Sequence, residues 1–513
     1  MKNIKYIGLM LLAVSFSACD VNNDLDEIAA EVVILPVADA GTADFSKYVA
    51  IGASFSAGFT DNGLFIASQS ASFPKIMANR MANFGGGDFT QPLMNDNIGG
   101  LLLAGNRYPN GAFGPRLFFN GAGPAVLPGD PTTETSNVLA GPFNNLGVPG
   151  AKSFHIVAPG YGSVANVPLG LANPYFARMA SSPGTTILAD AVSQGPTFFT
   201  ISEIGGNDVL AYATSGGSGS VQTNNFDPTT YAFNDITSPI VFNQAFGVMV
   251  AALTANGAKG AVVTVPSIVN LPFFTTVPYN PVPLDQATAD LVNGAYAVYN
   301  ASLAPAIAGA NAIGGLGLTP AQIAAEVQKR TINFSVGQNA VVIVDEDLTN
   351  TTGLGLPLYR QATADDFLVL TSSSFIGTFQ GGNPQLINGV TVPLEDRWVL
   401  TPEEQNNIQT AVDAYNATIT AVGSANGLAV VDLNQLLNDA ASGGTIFDDF
   451  TMTTSLVFGG LVSLDGVHLT SRGYALMGNK ILEAIDATYG SNFEASGNLA
   501  KANNYPTNYS PGI

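Results

Sequence analysis

Short apolar runs ending in small or polar residues alternate along this chain with stretches of helical spacing. That alternation limits the fold more than any other feature. Lys47 to Ser54, Pro196 to Gly205, Gly260 to Val265 and Leu428 to Val431 are rich in β-branched and aromatic residues, as buried strands are. Asn144 to Ala151 reads as a strand end running into a turn. Between these runs, Ser72 to Asn83 places Phe73, Ile76, Met77 and Met81 on one side of a helix. Leu169 to Met179, Thr186 to Val192, Val241 to Thr254, Asp285 to Ala304 and Pro320 to Arg330 read as further helices. Thr401 to Val422 begins with Thr401 as cap, Pro402 in the first turn, and Glu403 and Glu404 at the positive end. Thr470 to Thr488 closes the series. Strands that alternate with helices predict a parallel sheet covered on both faces, with ligands bound beyond the carboxyl ends of its strands.

Two stretches interrupt the pattern. Asn95 to Pro142 is rich in Gly, Asn and Pro and is expected to be an irregular insertion. The segment between the Gly260 and Leu428 runs is a second insertion, in which Ala340 to Asp345 reads as a strand. Asn498 to Ile513 is polar and is expected to be poorly ordered. Charged residues are only 11% of the chain, against roughly 25% in an average soluble domain. The formal net charge of -21 argues against nucleic acid as a partner, because phosphate binding needs clustered Lys and Arg. Two histidines and one cysteine leave no His/Cys metal cluster. Asp345-Glu346-Asp347 lacks the glycine and spacing of a calcium loop. Gly147 to Ser153 lacks the glycine that precedes the lysine of a phosphate loop. Neither a cofactor nor a metal is therefore expected.

The amino terminus has the form of an address. A basic start (Lys2, Lys5) precedes an apolar run from Tyr6 to Phe16 that is too short to span a bilayer. Ser17 and Ala18 then lead directly to Cys19. This arrangement resembles the lipobox of bacterial lipoproteins, in which the cysteine is acylated and becomes the first residue. The resemblance implies a signal peptide over 1–18 and lipidation at Cys19. Residues 19–45 then form an acidic tether, and the chain is held in the cell envelope at the outer membrane. Acidic residues after the cysteine are a cue for surface display in some bacterial groups.

The chemistry sits in blocks that follow the strand-like runs. Gly52-Ala53-Ser54-Phe55 supplies a serine, and Asp465-Gly466-Val467-His468 supplies a histidine three positions after a carboxylate. A serine hydroxyl is a weak nucleophile until a base takes its proton, and that base needs an orienting acid. Asn145 to Gly150 and Gly205-Gly206-Asn207-Asp208 contain groups able to stabilise an oxyanion. In this order the blocks resemble those of the SGNH, or GDSL-type, hydrolases. The resemblance implies a three-layer α/β/α fold with a flavodoxin-like parallel sheet, occupying 46–490 with large loop insertions and followed by a polar tail over 491–513. It implies Ser54 as nucleophile, Asp465 and His468 as the rest of a triad, and an oxyanion hole made by Ser54, Gly150 and Asn207. Gly147 is the alternative glycine donor. Ala53 stands where the family has Asp, Phe55 where it has Leu, and Leu469 where Pro is usual.

His155 is read as structural. Phe273 and Phe274 are candidate walls of an acyl site, as are Phe375, Phe379 and Trp398. The expected activity is hydrolysis of carboxylic esters through an acyl-enzyme, on an acyl lipid or an acylated glycan. A carbohydrate acetylesterase is the second reading, and a non-catalytic ligand-binding lipoprotein on a hydrolase scaffold is the third.

Overall fold

The computed structural model describes residues 35–513. The signal peptide, Cys19 and the first part of the acidic tether lie outside the described residues. Among the described residues no helix is long and apolar enough to cross a membrane.

The centre of Ala38–Ile513 is a five-stranded sheet, all parallel. Its strands are β1 (Tyr48–Gly52), β2 (Asn145–Gly147), β3 (Phe198–Ser202), β4 (Lys259–Val263) and β5 (Ala429–Val431). They lie in the order β2-β1-β3-β4-β5. This is a doubly wound order, and it reverses direction between β1 and β3, where such sheets open a crevice at their carboxyl ends. Every residue of β1 and β3 is buried, which explains why those runs are uncharged and mostly apolar rather than alternating.

Helices cover the sheet. The turn α1 (Ser54–Ala57) leaves β1 directly and is followed by α2 (Phe73–Met81). Next come α3 (Ile187–Val192), α4 (Asn207–Thr214) and α5 (Pro239–Thr254). The insertion carries α6 (Gln286–Gly314) and α7 (Pro320–Arg330). The chain then returns through α8 (Pro402–Ala425), α9 (Leu433–Ser442) and α10 (Ser471–Tyr489). Helix α10 packs on α2 and over β4 and β5, while α8 packs on α5 and over the same strands. The start of α8 is as the sequence predicts. Thr401 Oγ1 accepts from the Glu404 amide, and Glu404 Oε2 accepts from the Thr401 amide at 2.7 Å.

Three sequence expectations change. The stretch 169–179 holds only a short helix, Pro174–Ala177, because Asn173 caps a new start there and Gly170 ends the turn before it. The second insertion adds a core of its own to the helices and strand expected in it. Residues 277–399 build their own hydrophobic core, separate from the one around the sheet. Helix α6 runs past the expected stop at Pro305, because Leu303 and Ile307 on either side are fully buried in that core. A proline removes one helical hydrogen bond, and packing on both sides offsets the loss. The carboxyl-terminal tail is fastened rather than loose. Phe493 is fully buried and packs against the ring of Phe84, and Arg116 donates to Ser510 O at 2.7 Å. Polar composition misleads there because the tail is held by main-chain and aromatic contacts.

Candidate active site

Ser54 begins α1 immediately beyond β1, so its amide lies at the positive end of a helical turn. Ala53, at the cap position, has no side chain to satisfy that turn. Glu203 does so from the end of β3. Its Oε1 accepts from the amides of Ala53 at 2.6 Å and Ser56 at 2.9 Å, and its Oε2 accepts from Ser56 Oγ at 3.3 Å. Glu203 sits at φ +47°, an uncommon conformation for this residue type, which these bonds help hold. Burial pushes its carboxyl up to about 7, with the hydrogen bonds opposing the rise. The amide of Ser54 has no hydrogen-bond partner among the described residues.

His468 follows Asp465 in the loop that leads into α10. Its Nδ1 lies 2.9 Å from Asp465 Oδ2. The amides of Val467 and His468 donate to Asp465 Oδ1 at 2.8 and 2.9 Å, and the amide of Asn62 donates to Oδ2 at 2.8 Å. Burial alone would raise this carboxyl. The His468 charge and the hydrogen bonds overcome it and hold Asp465 well below the usual carboxylate range. An ionised Asp465 draws the ring proton to Nδ1 and leaves Nε2 as the basic nitrogen.

The bond from Asn62 joins positions 403 residues apart and ties the serine segment to the histidine loop. Thr60 Oγ1 donates to Leu469 O at 2.9 Å, Asp61 Oδ1 accepts from the Leu464 amide at 3.1 Å, and Tyr474 Oη donates to Phe59 O at 2.5 Å. The rings of Phe55 and Phe59 stand 5.9 and 4.7 Å from the imidazole. Among the described residues no hydrogen bond joins Ser54 Oγ to His468. Such bonds are often long in ligand-free enzymes.

Asn207 is the first residue of α4. One of its amide hydrogens is spent on Ala151 O at 3.0 Å, which leaves the other for a ligand. Its neighbour Asp208 is buried and accepts from the Ser153 amide at 2.8 Å and from Ser153 Oγ at 2.6 Å. The two bonds lock the stretch just after the second sequence block to the third. Gly150 is exposed at φ +82°, with an amide that has no hydrogen-bond partner among the described residues. Gly147 has another role. Its amide donates to Asn145 Oδ1 at 3.0 Å, and a Cβ there would stand 2.3 Å from the Ala57 amide. It is glycine so that α1 can lie against β2.

Ser54 and Asn207 open onto an apolar cavity. Phe55, Gly206, Leu210 and Ile268 line it, as do Leu433, Leu436 and Leu437 at the start of α9, and Val467 and Leu469 on either side of His468. Among the described residues, Glu203 is the one carboxylate or base in that lining. Phe273 and Phe274 are not part of this lining. Phe274 is buried in the core, and the Phe273 amide donates to Gly466 O at 3.0 Å. Phe375 and Trp398 stack on each other at 4.7 Å in the insertion, away from this lining, and Phe379 is exposed there. His155 is held as expected of a structural residue. Its Nδ1 accepts from the Lys152 amide at 3.0 Å, its ring stacks on Tyr161 at 4.2 Å, and burial pushes it down to about 3.

Sequence reasoning missed Glu203, Asp208 and Asn62. The signal for Glu203 was a single charge at the end of an otherwise uncharged run. Asn62 had none, because it acts through its backbone. No family model matches the chain, and neither curated proteins nor solved structures do.

Proposed function

We propose that this chain is a serine ester hydrolase of the SGNH type that works through an acyl-enzyme on Ser54. The observation that carries the reading is the cavity. Ser54 and Asn207 share its wall with the residues flanking His468, whose imidazole is bonded to Asp465. The doubly wound strand order is the one the family resemblance implies.

In this reading His468 Nε2 takes the Ser54 Oγ proton as that oxygen attacks the ester carbonyl. The carbonyl electron pair moves to oxygen, where the amides of Ser54 and Gly150 and the Asn207 side chain receive it. The imidazolium then returns its proton to the leaving alkoxide, and the acyl group stays on Ser54. Water, deprotonated by His468, releases the acid and restores the hydroxyl. Asp465 remains ionised throughout and stabilises the imidazolium.

The leucine-rich lining favours an acyl group longer than acetyl over a deacetylase of glycans. The expected substrate is an acyl lipid or a similarly apolar ester, met by a protein anchored in the cell envelope. The test is hydrolysis of p-nitrophenyl esters from acetate to palmitate beside Ser54→Ala. Activity that rises beyond acetate and vanishes in the folded variant is the expected result. Activity confined to acetate would move the reading to the acetylesterase. An inert wild type with an unlabelled Ser54 under a fluorophosphonate would move it to ligand binding.

A further inference from the structure

The insertion meets the catalytic body at the first turn of α8, and there the charges do not balance. Glu346 follows the strand Val342–Val344, Asp396 opens a short turn before Val399–Leu400, and Glu404 is in the first turn of α8. Each offers a carboxylate oxygen, and these oxygens all lie within 4.8 Å of one another. Among the described residues no Lys or Arg forms an ion pair with any of the three. Nearby Asp345 differs, because Arg360 and Lys329 already pair with it. The positive end of α8 favours Glu404 but supplies no second formal charge.

A separate observation points to a missing ligand. Glu404 is only 3% exposed. Its Oε2 holds the Thr401 amide, but its Oε1 is buried with no hydrogen-bond partner. A buried carboxylate oxygen left bare is costly unless something positive meets it. Gly217, at φ +80°, passes directly over that oxygen, and a Cβ there would stand 1.8 Å from it. Only glycine at this position lets the Glu404 carboxylate lie where it does.

We propose that Glu346, Asp396 and Glu404 bind a divalent cation of the Ca²⁺ class and fasten the insertion to α8. The donors are all hard carboxylate oxygens. Their spread suits an ion with oxygen ligands at about 2.3–2.6 Å. Glu346 is exposed, which leaves an entry path and room for water to complete the coordination. The sequence offered no such site, because the ligands come from three separate stretches rather than one loop. The inference does not rest on the esterase reading.

The test uses the full-length chain, stripped with EDTA, and Tb³⁺ as the probe. Trp398, the sole tryptophan, lies in the same short turn as Asp396 and serves as the luminescence donor. The expected result is saturable Tb³⁺ emission under tryptophan excitation that Ca²⁺ displaces, with a Ca²⁺-dependent rise in Tm. The double variant Glu346→Gln/Asp396→Asn should bind Ca²⁺ at least tenfold more weakly. Without Ca²⁺ it should melt no lower than wild type, since repulsion is relieved. Trp398→Phe should lose the emission and keep the Tm response. A folded wild type without either response overturns the proposal, as does a double variant that binds as tightly. A Tm that responds to acid but not to Ca²⁺ also overturns it, by assigning shared protons to the cluster. The readout contains no ester, so its failure leaves the reading of Ser54 untouched.

Discussion

At the scale of single residues, the candidate site depends on groups that hold others in place. Asn207 is the clearest case, because one amide hydrogen is anchored on Ala151 O and the other is left for a ligand, an oxyanion in the proposed reaction. Asn207→Ala should lower kcat roughly 10²–10³-fold, the usual loss for one such donor. KM should change little, because the donor is aimed at charge that develops in the transition state. Steady-state kinetics on the best ester of the series checks this, and an unchanged kcat would remove Asn207 from the hole. Ala53 illustrates a substitution whose compensation is visible only in space. Where the family resemblance has an acidic residue, this chain has a methyl group, and the carboxylate of Glu203 reaches the same turn from β3. Gly147 and Gly150, close in sequence, separate into a packing glycine and one with an open amide. A motif alone could not divide those roles.

At the scale of elements, the sheet strands and most helices were legible because their signals are local. Apolar runs mark strands buried on both faces, and Thr401, Pro402 and Glu404 mark a helix start wherever they occur together. Elements held by distant contacts were not legible. The tail after α10 looks like solvent-loving chain, yet Phe493 packs between Phe45 and Phe84. Arg116 lies 4.9 Å over the ring of Phe65 and donates to Ser510 O. Removing residues 491–513 should therefore destabilise the protein by at least about 3 kcal/mol, the scale of losing one buried phenylalanine. Thermal or urea unfolding measures it, and a truncated chain as stable as the parent would show that these contacts add nothing. The insertion gives the same lesson. Its helices were readable, but its separate core was not, since nothing local says which apolar faces meet.

At the scale of the whole molecule, buried acids set the dependence of stability on pH. Burial chiefly raises Asp61 and Glu203, each to about 7, so both gain affinity for a proton on folding. Their stabilising contribution is complete below their ordinary values near 4 and is lost as pH rises through about 7. Asp465 has the opposite sign. Its contribution is present above the ordinary carboxylate value and is lost only in strong acid. Tm should thus fall between about pH 4 and pH 7, and Glu203→Gln should flatten that slope. Scanning calorimetry of both proteins across this range decides it, and an equally steep slope in the variant would contradict the assignment.

The sequence by itself determined the parallel sheet, the order of the blocks along it and the identity of the candidate nucleophile, acid and base. Those properties reside in short segments whose burial, turn chemistry and spacing act locally. Only the tertiary structure decided what surrounds them. It brought Glu203 beneath the serine turn, the Asn62 amide to Asp465, the leucines of α9 to the cavity wall and three carboxylates from separate stretches to one corner. Each of these follows from how distant segments pack, and packing of that kind leaves no periodic trace in the chain.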